Sequence, residues 1–344
     1  MTPRSQTGEP FTVRRVSDAN ETETFRVDFS RSRCFLKCYG DAALFNKSLR
    51  VLTTLADNGF EYSPKILGFS DSAKNADCNC LLMEDLGQST LLAWPMFTAT
   101  HGEMLGREVG AALAQLHSLD FDLGNGFEMN VSPSILKSVA LVEEGLPHLK
   151  TVLSGNGVAG DDPLYARIHW ICSAARPLAA TKVVIASERR FVHGDCWAPN
   201  CVVSVALDVH RFRGFLDFDE SGMGSPALDV FRMFTRGVNA HDYVSVTQLL
   251  PPIAFWQAFV AGYSTVRTLP ELDDDTVLLL LLFYLLRTLL FYMRLLAQDA
   301  GLTAPRRRLE KFLAIVECSG NLLETPSLAS TLRERYSIME DSMI

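Results

Sequence analysis

Two polar clusters lie in the middle of the chain, where residues 191–200 read FVHGDCWAPN and residues 215–220 read FLDFDE. Apolar residues precede each cluster, and a further apolar run from Cys201 to Val203 follows the first one. This pattern predicts a loop, a short strand, a turn near Asp208 and a returning strand. We therefore expect a hairpin that brings both clusters to one edge.

Three side chains in these clusters are suited to phosphoryl transfer. Asp195 is the candidate base, because the reaction needs an oriented acceptor hydroxyl and a group that accepts its proton. Asn200 offers an amide oxygen and Asp217 a carboxylate, and hard oxygen ligands of this kind suit a Mg²⁺ ion that is shared with substrate phosphates. The sequence thus predicts Asp195 as the catalytic residue, with Asn200 and Asp217 as metal ligands.

The order and spacing of these residues resemble the signature of the aminoglycoside phosphotransferase and choline kinase family. The resemblance rests on His193 to Asp195, Asn200 and Leu216 to Asp219, and it continues through residues 222–229. It implies that His193 and Asp229 support the catalytic loop without contacting the substrate.

The same resemblance implies a bilobal, protein-kinase-like fold of the α+β class. The expected division places an N-terminal lobe of mostly antiparallel strands in residues 1–86 and a larger, mainly helical lobe in residues 87–344. The larger lobe would carry the catalytic loop and the acceptor pocket.

The nucleotide half of such a site is expected in the N-terminal lobe. Lys37 lies in a predicted strand and resembles the family's lysine that contacts the α- and β-phosphates of ATP. Phe35 shares its strand face and would lie over the base. Residues 81–87 resemble the hinge between the lobes, where the backbone from Glu84 to Leu86 would bind adenine.

Two departures from the family pattern concern this half. The helix predicted for residues 42–58 has no Glu to pair with Lys37, and Ser48 stands near the expected place. Either Asp41 pairs with Lys37, or the pairing is absent, or the comparison is displaced by one turn. The loop Ser17 to Thr22, which would cover the phosphates, has no glycine.

Composition excludes some classes of function and favours others. The chain has 344 residues, 48% of them hydrophobic, and a formal net charge of −8, which gives no support for nucleic-acid binding. An acidic surface favours a cationic acceptor. The polar N-terminus predicts a cytoplasmic chain, and the eight cysteines lack the spacing of a metal site, so we expect reduced thiols.

An apolar run from Val277 to Met293 is interrupted by Arg287, which makes a buried helix of the larger lobe more favourable than a membrane span. We therefore expect no membrane association. Arg287 and Arg294 share one helical face and could meet an anionic acceptor or simply reach solvent. Arg232 and Arg236 present the same alternatives.

The sequence predicts an ATP- and Mg²⁺-dependent phosphotransferase that acts on a hydroxyl of a small molecule, such as an aminoglycoside, an amino alcohol or a sugar. Asp219 and Glu220 could meet an acceptor amine or order the loop after the metal ligand. Two alternatives stay open: a Ser/Thr protein or homoserine kinase of the same fold, and a non-catalytic nucleotide-binding protein. Neither the acceptor nor the oligomeric state can be read from the sequence.

Overall fold

An antiparallel sheet forms the N-terminal part of the protein and helices dominate the rest, which confirms the α+β class. The division into lobes at residue 86 stays a prediction. The protein is described by a computed structural model, which covers residues 11–19, 22–70, 79–87, 89–91, 99–121, 127–129, 131–155, 163–180, 189–206, 209–235 and 251–298, with residues 313, 316, 330, 332 and 336.

The N-terminal sheet has five strands in the order β1-β2-β3-β5-β4, and every neighbouring pair is antiparallel. Apolar and polar residues alternate in the second strand, where Phe25, Val27 and Phe29 face one way, as expected for a sheet with one covered face. The strands are β1 (Phe11–Ala19), β2 (Thr22–Phe29), β3 (Arg33–Tyr39), β4 (Ile66–Ser70) and β5 (Asn79–Glu84).

Two of these strands are also linked covalently. Cys38 of β3 and Cys80 of β5 are register partners and form a disulfide. The expectation that all cysteines are reduced is therefore wrong for this pair. No sequence pattern predicts this disulfide, because the pairing depends on the register of strands that are far apart in the chain.

The helix predicted for residues 42–58 is present as α1 (Ala42–Asp57), which buries Phe45, Val51 and Leu55. Asp41 is its N-cap, since the carboxylate accepts a hydrogen bond of 2.7 Å from the backbone N–H of Ala43. Asp41 therefore caps the N-terminus of α1.

The C-terminal part combines six helices with five short strands among the described residues. Its helices are α2 (Ala99–Ser118), α3 (Val131–Gly155), α4 (Pro163–Ala180), α5 (Ala227–Phe234), α6 (Ile253–Ser264) and α7 (Asp274–Gln298). Its strands are β6 (Ser89–Thr90), β7 (Arg190–Val192), β8 (Cys201–Ala206), β9 (Val209–Phe215) and β10 (Gly222–Gly224).

Helices α2 and α6 approach each other so closely that side chains are excluded from their contact. A Cβ atom on Gly110 would lie 2.1 Å from the carbonyl oxygen of Phe259, and one on Gly262 would lie 2.0 Å from that of Arg107. Glycine is thus required on both helices by space. The contact places the ends of α2 and α6 side by side beneath the catalytic loop.

The apolar run forms α7, as predicted. The segment Asp274–Leu296 is long and apolar enough to cross a membrane by length and composition, and 72% of its most apolar window is buried within the protein. Helix α7 packs against α3, α4 and α5. Burial against three helices is what a core helix of the larger lobe requires.

Candidate active site

The two polar clusters are brought together by the hairpin of β8 and β9, as predicted. Cys201 pairs with Phe215 in its register, so the residues just outside the hairpin, Asn200 and Leu216, are also adjacent. The N–H of Leu216 donates a hydrogen bond of 2.7 Å to the carbonyl of Asn200. Asp217 therefore begins its turn next to Asn200.

The glycine of the His-Gly-Asp motif is required by both conformation and space. Gly194 has a φ of +80°, which lies in the left-handed region that side chains disfavour. A Cβ atom there would lie 2.3 Å from the carbonyl oxygen of Glu220 and 2.8 Å from Sδ of Met129. The loop before Asp195 can therefore pass directly beneath the turn that carries Glu220.

His193 ties the loop that carries Asp195 to the turn that begins at Asp217. Its Nε2 lies 2.8 Å from the carbonyl oxygen of Leu216, to which it must donate, and its Nδ1 accepts from the N–H of Asp195 at 3.3 Å. The ring also packs against Phe218, with 4.6 Å between centroids. A neutral imidazole protonated on Nε2 satisfies both contacts.

Asp229, at the start of α5, holds the same loop from below. Its carboxylate accepts from the backbone N–H of His193 at 2.6 Å and of Gly194 at 2.8 Å. Its third contact is Nε2 of His117, at 3.0 Å, and Nδ1 of His117 lies 2.8 Å from the hydroxyl of Tyr263. Burial lowers the pKa of His117, so we assign a neutral ring that donates to Asp229 and accepts from Tyr263.

Asp195 lies where α5 can reach it. Nε and Nη2 of Arg232 lie 3.1 and 3.0 Å from its Oδ1, and the amide nitrogen of Asn200 lies 3.3 Å from its Oδ2. The guanidinium of Arg232 is itself held between two rings, 4.8 Å from the centroid of Trp197 and 4.6 Å from that of Tyr284. The candidate base is therefore fixed at both oxygens.

The contact between Arg232 and Asp195 was missed by the sequence analysis, which left the role of Arg232 open. One signal could have revealed it: Arg232 lies one turn after Asp229 in the same helix, so the two side chains project near each other. Arg236, considered together with it, lies outside the described residues.

Asp217 adopts a left-handed conformation with a φ of 63°, and it is the only non-glycine residue with positive φ among those described. Such a conformation costs about 1 kcal/mol or more and is typically found where function needs it. A short 3₁₀ turn, Phe218–Glu220, follows directly. Together they point Asp217 and Asp219 toward the N-terminal sheet.

Lys37 lies between these two carboxylates. Its Nζ is 2.7 Å from Asp217 and 2.6 Å from Asp219, whose other oxygen accepts a hydrogen bond of 2.8 Å from the hydroxyl of Ser48. Asp219 therefore pairs with Lys37 in this chain, and α1 contributes Ser48 as a donor to that carboxylate. Neither Asp41 nor a displaced Glu is needed.

The pKa values of Lys37, Asp217 and Asp219 depend on one another. Burial opposes the charge on Lys37, but Asp217 and Asp219 together raise its pKa well above the ordinary value, so it stays protonated. Desolvation would raise the pKa of Asp217, but the ammonium of Lys37 lowers it. Desolvation and the charge of Asp217 raise the pKa of Asp219.

A cavity of about 230 Å³ opens above this group, between the sheet and the turn. Lys37, Asn200, Asp217 and Asp219 form its polar end, and its other walls are mostly apolar. Those walls include Phe35, Leu52, Met83, Glu84 and Leu216. Phe35 and Glu84, which the sequence predicts beside the base of a nucleotide, thus both line this cavity.

Two predicted site residues, Asp195 and Leu86, do not line this cavity. Asp195 lies next to it, because it contacts Asn200 of the lining. The side chain of Leu86 is buried and lies close to Gly214, where an added Cβ would be 2.9 Å from it. A backbone contact from Leu86 to a nucleotide stays a prediction. The other predicted residues are brought together at or next to the cavity.

The residues present fit a magnesium ion that is shared with phosphates. The amide nitrogen of Asn200 is hydrogen-bonded to Asp195, which leaves the amide oxygen available as a ligand. The side chain of Asp217 is 50% exposed within the site. No cluster of three or more His, Cys, Asp or Glu side chains suited to a metal occurs in the described part of the chain. Two oxygen ligands completed by phosphates and waters are typical of Mg²⁺.

Comparison with known proteins gives a family match and several similar folds. A family model described as the phosphotransferase enzyme family matches residues 12–273. No protein of the curated set matches the sequence.

Three solved structures illustrate the similarity in fold. A spectinomycin phosphotransferase in complex with ADP and spectinomycin is 14% identical, with 90% of this chain and 92% of that chain covered and a TM-score of 0.64. An ethanolamine kinase from Plasmodium vivax is 14% identical, with 90% and 82% covered and a TM-score of 0.54. A choline kinase from Cryptosporidium parvum Iowa II is 12% identical, with 93% and 92% covered and a TM-score of 0.53. These neighbours show the protein-kinase-like fold.

Proposed function

Because the chain belongs to the phosphotransferase enzyme family, we propose that it is a small-molecule kinase with an alcohol group as acceptor, ATP as phosphate donor and Mg²⁺ as metal. The observation that carries the proposal is the convergence of Lys37, Asn200 and Asp217 at one end of a cavity with apolar walls. An apolar slot with a charged end suits a base with its phosphates.

Asp195 would orient the acceptor hydroxyl and accept its proton. Its Oδ1 is held by Arg232 and its Oδ2 is near the amide of Asn200, so the carboxylate can turn little. A fixed carboxylate suits phosphoryl transfer, in which positioning contributes more than strong basicity. The transferred group would lie between Asp195 and the nucleotide cavity.

Lys37 would bind the phosphates of the nucleotide while keeping its contact with Asp219. Asn200 and Asp217 would hold the metal, which would supply positive charge to neutralise the phosphates of the nucleotide. The pairing of Lys37 with Asp219 also weakens the case for a non-catalytic protein, because the missing Glu of α1 was one of its two grounds, beside the glycine-free loop of residues 17–22.

The proposal is tested by an ATP-consumption screen over aminoglycosides, amino alcohols, sugars and hydroxy acids, with and without Mg²⁺. Asp195→Asn should lower the transfer rate by about 10²–10⁴-fold and leave the Kd for ATP within about twofold. Asp57→Asn, at the exposed end of α1, is the matched control and should leave both values unchanged. Full turnover by Asp195→Asn would refute the role of Asp195, and equal turnover without divalent metal would refute the role of Mg²⁺.

A further inference from the structure

A second cavity, of about 450 Å³, lies on the other side of the turn that begins at Asp217. It is lined by side chains from α1, α3, α7, the segment of residues 127–129 and the turn itself, which contributes Glu220. Nothing in the nucleotide half of the reaction requires this space. The residues of its lining indicate which class of molecule it could bind.

The cavity adjoins the candidate base. Arg287, in its wall, donates to the carbonyl of Gly194 at 3.4 Å, and Gly194 directly precedes Asp195. The same arginine pairs with Glu220 at 3.1 Å, and Glu220 is next to Asp219 of the nucleotide cavity. A molecule in this space would lie within reach of Asp195 and beside the phosphate end of the nucleotide site.

The acidic groups of this cavity are already neutralised. It contains two carboxylates, of which Glu220 pairs with Arg287 and Glu128 pairs with Arg189 at 2.6 Å. Each carboxylate thus already has a cationic partner, which weakens its attraction for a cationic acceptor. This local balance differs from the net charge of the whole chain, which is −8.

Its remaining charges are positive. Lys137 of α3 and Arg294 of α7 line the cavity, and within the described residues neither forms an ion pair with a carboxylate. Lys47 of α1 lines it as well, near Glu220 and Asp219. An occupant thus meets an excess of positive charge at the end formed by α3 and α7.

Part of the wall is apolar. Phe283, Leu290 and Phe291 of α7 and Leu141 of α3 contribute to it, and the guanidinium of Arg287 lies 5.3 Å from the ring of Phe283. A small organic molecule with a hydrocarbon part fits this lining better than a bare inorganic ion.

We propose that this cavity binds the acceptor, and that the acceptor is a hydroxyl compound with an anionic group, a carboxylate or a phosphate monoester, held by Lys137 and Arg294. This inference rests on the proposed phosphotransferase function. In the reaction the acceptor oxygen forms a bond to the γ-phosphorus, the bond from that phosphorus to the β-γ bridging oxygen breaks, ADP leaves, and the hydroxyl proton passes to Asp195.

The test uses matched compounds that differ only in charge. A four-carbon chain and a benzyl ring each carry one hydroxyl and, at the far end, a carboxylate, a phosphate monoester, a neutral amide or an amine. Binding is measured by calorimetry in the presence of ADP and Mg²⁺, and transfer is measured with radiolabelled ATP. The anionic compounds should bind about tenfold tighter than their amides and more tightly still than the amines. The carboxylate and phosphate arms then identify which anion is preferred.

Variants on the two helices locate the anion. Lys137→Gln and Arg294→Gln should each weaken binding of the anionic compounds by about fivefold or more, with binding of the amides unchanged. Arg294→Lys should restore much of the affinity. Lys150→Gln, an exposed lysine further along α3, is the matched control and should change nothing.

The outcomes separate the two proposals. Equal or tighter binding of the amides or amines would overturn the anionic acceptor. Anion binding that Lys137→Gln and Arg294→Gln leave unchanged would overturn it as well. In either case, phosphate transfer to any compound of the screen upholds the proposed function. Binding of the anions in the predicted manner, with no transfer to any compound in either panel, would instead overturn the proposed function and leave an anion site.

Discussion

Replacing Asp219 with Asn tests whether this aspartate takes the part of the missing Glu of α1. In the structure Lys37 is shared between Asp217 and Asp219, and only Asp217 is a candidate metal ligand. If Asp217 binds a metal ion, Asp219 alone must hold Lys37 in place. Asp219→Asn keeps the size of the side chain and removes the charge that does this.

The expected loss follows from the geometry of the pair. Lys37 and Asp219 are 2.6 Å apart with side-chain exposures of 12% and 17%, so solvent screens the pair only in part. A charge-assisted hydrogen bond contributes about 1.5–3 kcal/mol, which is about 10–150-fold in a dissociation constant. Asn still accepts a hydrogen bond, so we expect the lower end, about a tenfold rise in the Kd for ATP with Mg²⁺.

Calorimetric titration with ATP and Mg²⁺ measures this change, with thermal melts to show that the variant is folded. A second variant sharpens the test, because Ser48 of α1 lies 2.8 Å from Asp219 and lines the same cavity. Adding Ser48→Glu to Asp219→Asn supplies a carboxylate from the helix and should recover much of the affinity. An unchanged Kd in folded Asp219→Asn would refute the assignment.

Three further predictions concern the groups around the catalytic loop. Arg232→Met removes the donors that hold Asp195, so the transfer rate should fall by about 10–100-fold with the KM for ATP unchanged, as steady-state kinetics will show. Asp229→Asn leaves buried N–H groups unpaired and should lower the free energy of unfolding by about 3–5 kcal/mol in urea titrations. Cys196 and Cys201 are buried and burial raises the pKa of Cys196, so alkylation of the native protein at neutral pH should leave its activity intact; rapid inactivation would contradict this.

The parts of the site that lie close together in the chain could be predicted from the sequence. Asp195, Asn200 and Asp217 flank one hairpin, and the alternation of apolar residues predicts that hairpin directly. The strand that carries Lys37 was predicted by an apolar pattern as well, whereas Lys37 itself was singled out by the resemblance to the family. Their roles in catalysis and in metal and phosphate binding stay predictions until the variants are measured.

Contacts that depend on three-dimensional approach could not be predicted. The second cavity, of about 450 Å³, unites residues of α1, α3 and α7, and its charge depends on which carboxylates are already paired. The sequence alone indicates only that Arg287 and Arg294 share a helical face. The net charge of the chain is equally uninformative about the charge of a cavity, because a chain with a charge of −8 can still present a basic pocket.

The partner of Lys37 shows why a missing residue is weak evidence for a missing interaction. The sequence shows correctly that α1 carries no Glu. The carboxylate comes instead from Asp219, which is 182 positions away and reaches Lys37 because Asp217 is left-handed and a 3₁₀ turn follows it. Neither conformation has a composition signal of its own. An ion pair that is needed in a site can thus be supplied by whichever element reaches it, and only the fold determines which element that is.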